Sequence, residues 1–237
     1  MTKEMSIMKK INLLVVALAF VTMIGFVFTG FKAEAASEAD KKAPVIGGWT
    51  LVTDNKPGMM SEADSSRIKN TIENEFTDYN VLGLVATQVV SGANYMYLVY
   101  GTETGSETSG YYFVTIYEDT KGNDIVAGIE NFDVTAVQTA APLGKGATGA
   151  WAVRGSGKPG MFRNEDVQAS FDAVNKGDVM YNPVAMLATQ VVSGTNYKAL
   201  CKGNDSNLYV VTWYKDLQGN STFTSAECVN IGAYSGR

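Results

Sequence analysis

Four apolar runs of strand length, at 81–90, 95–100, 111–117 and 125–132, follow one another with turn residues between them. They are rich in Val, Tyr, Ile and Phe, which predicts an antiparallel meander. Ahead of them Ile68, Ile72 and Phe76 recur every fourth residue, the spacing of one amphipathic helix of about four turns. Ser61 stands where an N-cap belongs, with Glu62 and Asp64 in the first turn, where the helix dipole favours carboxylates. A short strand at 49–53 precedes the helix and is closed by Asn55-Lys56-Pro57-Gly58.

The same order then returns. An offset of 102 residues carries Trp49 onto Trp151, Lys56-Pro57-Gly58-Met59 onto Lys158-Pro159-Gly160-Met161, and Tyr79-Asn80 onto Tyr181-Asn182. Asn164 caps the second helix, with Val167, Phe171 and Val174 on one face, and strands are expected at 184–192, 197–201, 208–213 and 222–231. A five-residue deletion between the third and fourth strands shortens the Thr- and Ser-rich loop found at 102–110 of the first copy. The expected organisation is a leader at 36–43, domains at 44–133 and 149–237, and a linker at 134–148, where Ala, Gly and Thr show little periodicity. Each domain is α+β, one helix laid across a four- to five-stranded antiparallel sheet.

The longest identical stretch across the offset is Ala-Thr-Gln-Val-Val-Ser-Gly-x-Asn-Tyr, at 86–95 and 188–197. Its centre is Gln88-Val89-Val90-Ser91-Gly92 in one copy and Gln190-Val191-Val192-Ser193-Gly194 in the other. Neighbouring strand residues face opposite ways, so two consecutive valines cannot both enter one core. At least one is expected on the surface. Ser-Gly-x-Asn is turn chemistry. The expected product is a narrow hairpin tip with an apolar shoulder; an ordinary tight hairpin accounts for a single copy equally well.

Composition narrows the functional classes. Lys9-Lys10, an apolar run over 11–31 and Ala33-Glu34-Ala35 read as a secretory signal over 1–35 with cleavage near Ala35, or as a retained membrane anchor. The expected location is therefore extracellular, or membrane-attached if the signal stays. Removing the four lysines and two acids of that segment takes the net charge from −5 to −7, which disfavours nucleic acid as a partner. The chain contains no histidine, so Cys-His and Ser-His-Asp catalysis and most zinc sites are excluded, and no enzyme, metal or cofactor is expected. Acidic pairs such as Glu62 with Asp64 or Glu118 with Asp119 fall at a helix start and a turn, where solvated acids are routine. Two cysteines, Cys201 and Cys228, in an exported chain lead to the expectation of a disulfide, although they lie on strands that need not be neighbours.

These residues resemble the cystatins, inhibitors of papain-like cysteine proteases. The family pattern is a glycine near the N-terminus, a Gln-x-Val-x-Gly first hairpin loop and a second hairpin loop that often carries Pro-Trp. Gly47-Gly48-Trp49 is similar to the N-terminal element as plant cystatins write it, and both pentapeptides match the first loop at every fixed position. Residues 190–197 are especially similar to stefin and plant-cystatin versions. The second turns depart from the pattern: they read Asp119-Thr120-Lys121-Gly122-Asn123 and Asp216-Leu217-Gln218-Gly219-Asn220. In the second copy Gly149-Ala150 stands in place of Gly-Gly.

The resemblance implies a secreted inhibitor that blocks a protease cleft with a wedge and performs no chemistry itself. The implied contact residues are Val45, Ile46, Gly47 and Gly48, then Gln88, Val89, Val90, Ser91 and Gly92, then Gln190, Val191, Val192, Ser193 and Gly194. Because Val45-Ile46 precede the glycines only in the first copy, the first domain is expected to be the stronger inhibitor. The alternative is an extracellular binding or adhesion module of the same fold that does not inhibit proteases.

Overall fold

The structure is a computed structural model, and it describes residues 47–52, 60–134, 149–153, 162 and 164–235. Expectations for 1–46, for the linker segment 135–148 and for the Lys-Pro-Gly-Met stretches lie outside those residues. All described residues fall in one compact unit, Pro44–Arg237.

The first repeat runs β1 (Trp49–Leu51), α1 (Glu62–Ile72), β2 (Phe76–Val90), β3 (Gly92–Glu103), β4 (Gly110–Glu118) and β5 (Asp124–Phe132). The second runs β6 (Trp151–Val153), α2 (Glu165–Val174), β7 (Tyr181–Val192), β8 (Gly194–Gly203), β9 (Leu208–Lys215) and β10 (Ser221–Val229), and ends in a 3-10 turn, Ile231–Tyr234. Each repeat is one five-stranded antiparallel sheet with its strands in sequence order. The α+β class and the meander are as the pattern predicts.

Both helix starts obey the capping rule. The Asp64 N–H donates to Ser61 Oγ at 3.0 Å and the Asp166 N–H to Asn164 Oδ1 at 2.8 Å. Ile68 and Ile72 are buried against β2, β3 and β4, as Phe171 is in the second repeat. The first helix is shorter than its spacing predicts, stopping at Ile72. Phe76 belongs to β2, where its ring meets Tyr112 edge-on at 5.2 Å. Its apolar spacing continues the helix face by coincidence: the turn at Glu73–Glu75 reverses the chain and returns Phe76 to the same core. Bulges recur at equivalent places in the two long strands, between Val81 and Gly83 and between Pro183 and Ala185, bending each strand across its helix.

Periodicity did not announce that each sheet is buried on both faces. Residues 111–116 are all buried: Tyr112, Val114 and Ile116 face α1, while Tyr111 and Phe113 face the other way. On that second face the two repeats meet. Leu82, Val85, Met96, Leu98 and Phe113 of the first sheet share one core with Val184, Leu187, Leu200 and Val210 of the second. The order of layers is helix, sheet, sheet, helix. Tyr111 seals the middle, its hydroxyl donating to the Met186 and Leu187 carbonyls at 3.0 Å each.

Two lysines enter this apolar layer, both from β8. Lys198 is fully buried; its ammonium donates to the Val134 carbonyl at 3.0 Å and lies 4.6 Å from the centre of the Trp151 ring. Lys202 donates to the Val52 and Leu84 carbonyls. The first repeat has Met96 and Tyr100 at the same offset. Burial pushes both ammonium groups down, Lys202 to about 8, while Glu227 and Asp133 draw Lys198 partly back up.

The expected Cys201–Cys228 bridge is not formed; both thiols are free. Tyr209 on β9 pairs with Cys201 on one side and Cys228 on the other. The cysteines are therefore two strand spacings apart, roughly 10 Å, beyond what a disulfide spans. Cys201 is sealed in the core under α2 and burial raises its thiol pKa well above the usual range.

Candidate functional site

Each pentapeptide closes a hairpin, β2 to β3 and β7 to β8, at one end of its sheet. Of the adjacent valines neither is buried: Val89 is 45% and Val90 37% exposed, Val191 58% and Val192 38%. The apolar shoulder is thus wider than the alternation rule requires.

The N-terminal glycine and the second turn come to the same end. The Gly47 N–H donates to the Val89 carbonyl at 3.0 Å, and the Gly149 N–H to the Val191 carbonyl at 2.9 Å. On the other side, the Tyr117 hydroxyl donates to the Ser91 carbonyl at 2.5 Å, and Tyr214 makes the same bond to Ser193. Tyr117 and Tyr214 precede the turns 119–123 and 216–220. In each repeat three edges therefore lie side by side: glycine segment, valine hairpin and second turn. Val45 and Ile46 are outside the described residues.

Two motif residues are accounted for within the hairpin. Gln88 donates its side-chain amide to the Gly47 carbonyl at 3.0 Å and accepts from Asn94 at 2.6 Å; Gln190 does the same with Gly149 and Asn196 at 2.6 and 2.8 Å. The glutamine fastens the entering segment to the hairpin and is a positioning residue. Gly92 and Gly194 have φ of 118° and 125°, open to glycine and costly for other residues. A Cβ at either would press into the carbonyl of Glu118 or Lys215 and the ring of Tyr117 or Tyr214. The close approach that the glycine permits is to its own neighbouring strand. Gln88→Ala is expected to weaken the first tie by about 1 kcal/mol, read as faster hydrogen exchange at the Gly47 amide with global stability nearly unchanged. An unchanged exchange rate would leave the glutamine without this role.

The second turns hold their shape by an aspartate. Asp119 accepts from the backbone N–H groups of Lys121 and Asn123 and from the Asn123 side chain; Asp216 does so from Gln218 and Asn220. These donors, the asparagine side chain first, hold both carboxylates below the usual range. In the first repeat an ionic clamp adds to this. Arg67 on α1 reaches Asp64 at 2.9 Å, Glu118 at 2.5 Å and Asp124 at 3.2 Å, with its guanidinium 3.8 Å over the Tyr95 ring. Glu118 and Asp124 flank the turn, so the clamp ties it to the helix. The second repeat uses Trp213 under its helix instead, stacked on Tyr197 at 5.1 Å and donating to Ser170 Oγ at 2.9 Å.

The two ends are unequal. Leu217, at the tip of the second turn, is 77% exposed, the largest exposure among the large apolar side chains of the described residues; Thr120 holds the equivalent place in the first repeat. The sequence carried this signal as an apolar residue directly after the turn-forming Asp216, between acid and Gln-Gly. Leu217, Tyr117 and Tyr214 are the residues at this end that the implied contact set leaves out, and Asn94 and Asn196, expected only as turn formers, hold the glutamines.

Among the described residues no group of three or more Cys, Asp or Glu is placed to hold a metal ion, and no helix is long and apolar enough to cross a membrane. No protein-family model, curated protein or solved structure matches the chain.

Proposed function

We propose that the protein is a secreted inhibitor of papain-like cysteine proteases that enters the protease cleft edge-first. One observation carries the reading: glycine segment, valine hairpin and second turn stand side by side at one end of the same sheet. That is the juxtaposition the cystatin resemblance calls for, and it occurs twice. The contact would be made by shape and apolar burial, with Val89 and Val90 at one end and Val191, Val192 and Leu217 at the other. Full burial of one such valine contributes about 1.5–3 kcal/mol, one to two decades of affinity. The exposed Leu217 favours the second repeat as the more apolar end.

A test must spare the hairpin. Glutamate at Gly92 or Gly194 would collide with the neighbouring strand and open the tip, so the informative variants are Val90→Glu and Val192→Glu, on side chains already half exposed. Inhibition of papain by residues 36–237 is expected, with each variant weakening inhibition at its own end by roughly 10- to 100-fold and leaving circular dichroism unchanged. A folded protein that inhibits neither papain nor a panel of related proteases would overturn the proposal.

A second reading, a binding module without protease inhibition, is favoured by one observation. The Gln and Gly of the pentapeptide are fully explained by the hairpin's own construction, so their presence alone demands no protease.

A further inference from the structure

The inner faces of the two sheets are not stacked in the same direction. Lys198 lies in the tip half of β8, four residues beyond Gly194, yet its ammonium reaches Val134, which follows the far end of the first sheet. Tyr111, at that same far end and paired with Tyr100 and Phe132, reaches Met186 and Leu187 at the middle of β7, well toward the tip from the level of its own pairing. Conversely Lys202, toward the far end of β8, reaches Leu84 and Val52 in the tip half of the first sheet. These cross-repeat bonds run in opposite senses along the two sheets, from the tip half or middle of one to the far half or far end of the other. Near the middle, Val184 Cγ1 comes within 3.8 Å of where a Cβ on Gly83 would stand, the place where β2 and β7 pass.

We infer that the molecule is two-ended: its apolar hairpin tips, Val89-Val90 and Val191-Val192 with Leu217, point away from each other, so one molecule holds two partner molecules at once. This rests on the proposed function for the kind of partner, a protein with a narrow, apolar-walled cleft. The geometry rests on the shared core alone. At about 3.3 Å per residue the stretches 83–90 and 184–192 carry the tips to roughly 50 Å apart along straight strands. That separation leaves room for two globular partners without contact between them, and it forbids both tips from entering one cleft. The packing of the two sheets sets this geometry, so the tips are fixed relative to each other. The molecule joins two partners and gains no avidity from two clefts closer together than its own length.

Two measurements decide it. Spin labels at Ser91→Cys and Ser193→Cys, in a Cys228→Ser background that removes the exposed thiol, are expected to give one narrow distance distribution at about 40–50 Å. Light scattering with excess active-site-blocked papain is expected to give two papain molecules per chain, falling to one for Val90→Glu and for Val192→Glu and to none for the double variant. A distance below about 30 Å would overturn the opposed-tip geometry. The long distance with saturation at one papain per chain would overturn the two-partner inference and leave the inhibitor reading standing. No papain complex at any ratio would overturn the inhibitor reading, and the two-partner inference with it.

Discussion

Phe113→Ala is expected to lower the stability of the entire unit by about 3–5 kcal/mol, the cost of deleting a large aromatic side chain from a packed core. Phe113 is fully buried on the inner face of the first sheet, its ring 4.8 Å from both Phe132 and Tyr234. Tyr234 belongs to the C-terminal turn after the second repeat, so the substitution removes packing that both repeats share. The loss is therefore expected where the mutation is not. In a Trp49→Phe background the remaining tryptophans, Trp151 and Trp213, both report on the second repeat. Their fluorescence should follow one urea transition, shifted to lower denaturant with its slope preserved. Two transitions, with the second-repeat signal unmoved, would show that the repeats fold independently and that the shared core contributes little.

The second large effect is a pH dependence centred on Lys202. Its folded-state pKa lies at about 8, against the ordinary 10.5, because burial disfavours the charged form. Between those values the unfolded chain binds a proton that the folded chain does not, so stability rises with pH across that window. Below pH 8 the group is charged in both states and its desolvation cost is fully present. A tenfold loss of proton affinity corresponds to about 1.4 kcal/mol, so this lysine contributes a gain on the order of 3 kcal/mol between pH 8 and 10.5. Buried tyrosines work in the opposite sense over the upper part of the window: burial raises Tyr97, and its neutral form is favoured in the fold. The quantity to measure is therefore the difference between wild type and Lys202→Met in chemical unfolding at pH 7, 8, 9 and 10. That difference should move toward wild type as pH rises. A flat difference would mean that the ammonium keeps its ordinary affinity for the proton inside the core.

Much of one repeat could be read from residue types. Ser61 and Asn164 announced the helix starts because a cap needs a short side-chain acceptor. The paired valines announced a tip because strand alternation leaves one of them without a core. The duplication itself is legible from identity at a fixed offset. What escaped was whatever depends on a second surface. Residues 111–116 are apolar at consecutive positions, a pattern equally suited to a strand covered on both faces and to a buried helix segment, and nothing local names the covering element. The lysines of β8 carry no such signal either: a lysine suits the wet face of a sheet, yet Lys198 donates to the Val134 carbonyl and Lys202 to the Val52 and Leu84 carbonyls, acceptors that lie far away in sequence. The missing disulfide followed from register, since one intervening strand separates two cysteines whose spacing in sequence carries no such information. At the tips, the pentapeptide marked a hairpin that the structure does form, but the reason for its Gln and Gly lay in their contacts with Gly47, Asn94 and Tyr117, and the exposure of Leu217 lay outside the motif.

The back-to-back pairing has a consequence for how such a chain can diverge. Two identical copies meeting across a twofold axis must carry every substitution on both sides of the contact. A lysine introduced at the position of Lys198 or Lys202 would then appear twice, doubling the desolvation within one core. Joining the copies in a single chain removes that constraint: β8 carries the two cations, β3 carries Met96 and Tyr100, and each surface is matched to an unlike one. The halves are matched as unlike surfaces, and a pair of second repeats would bury four cations where the joined chain buries two.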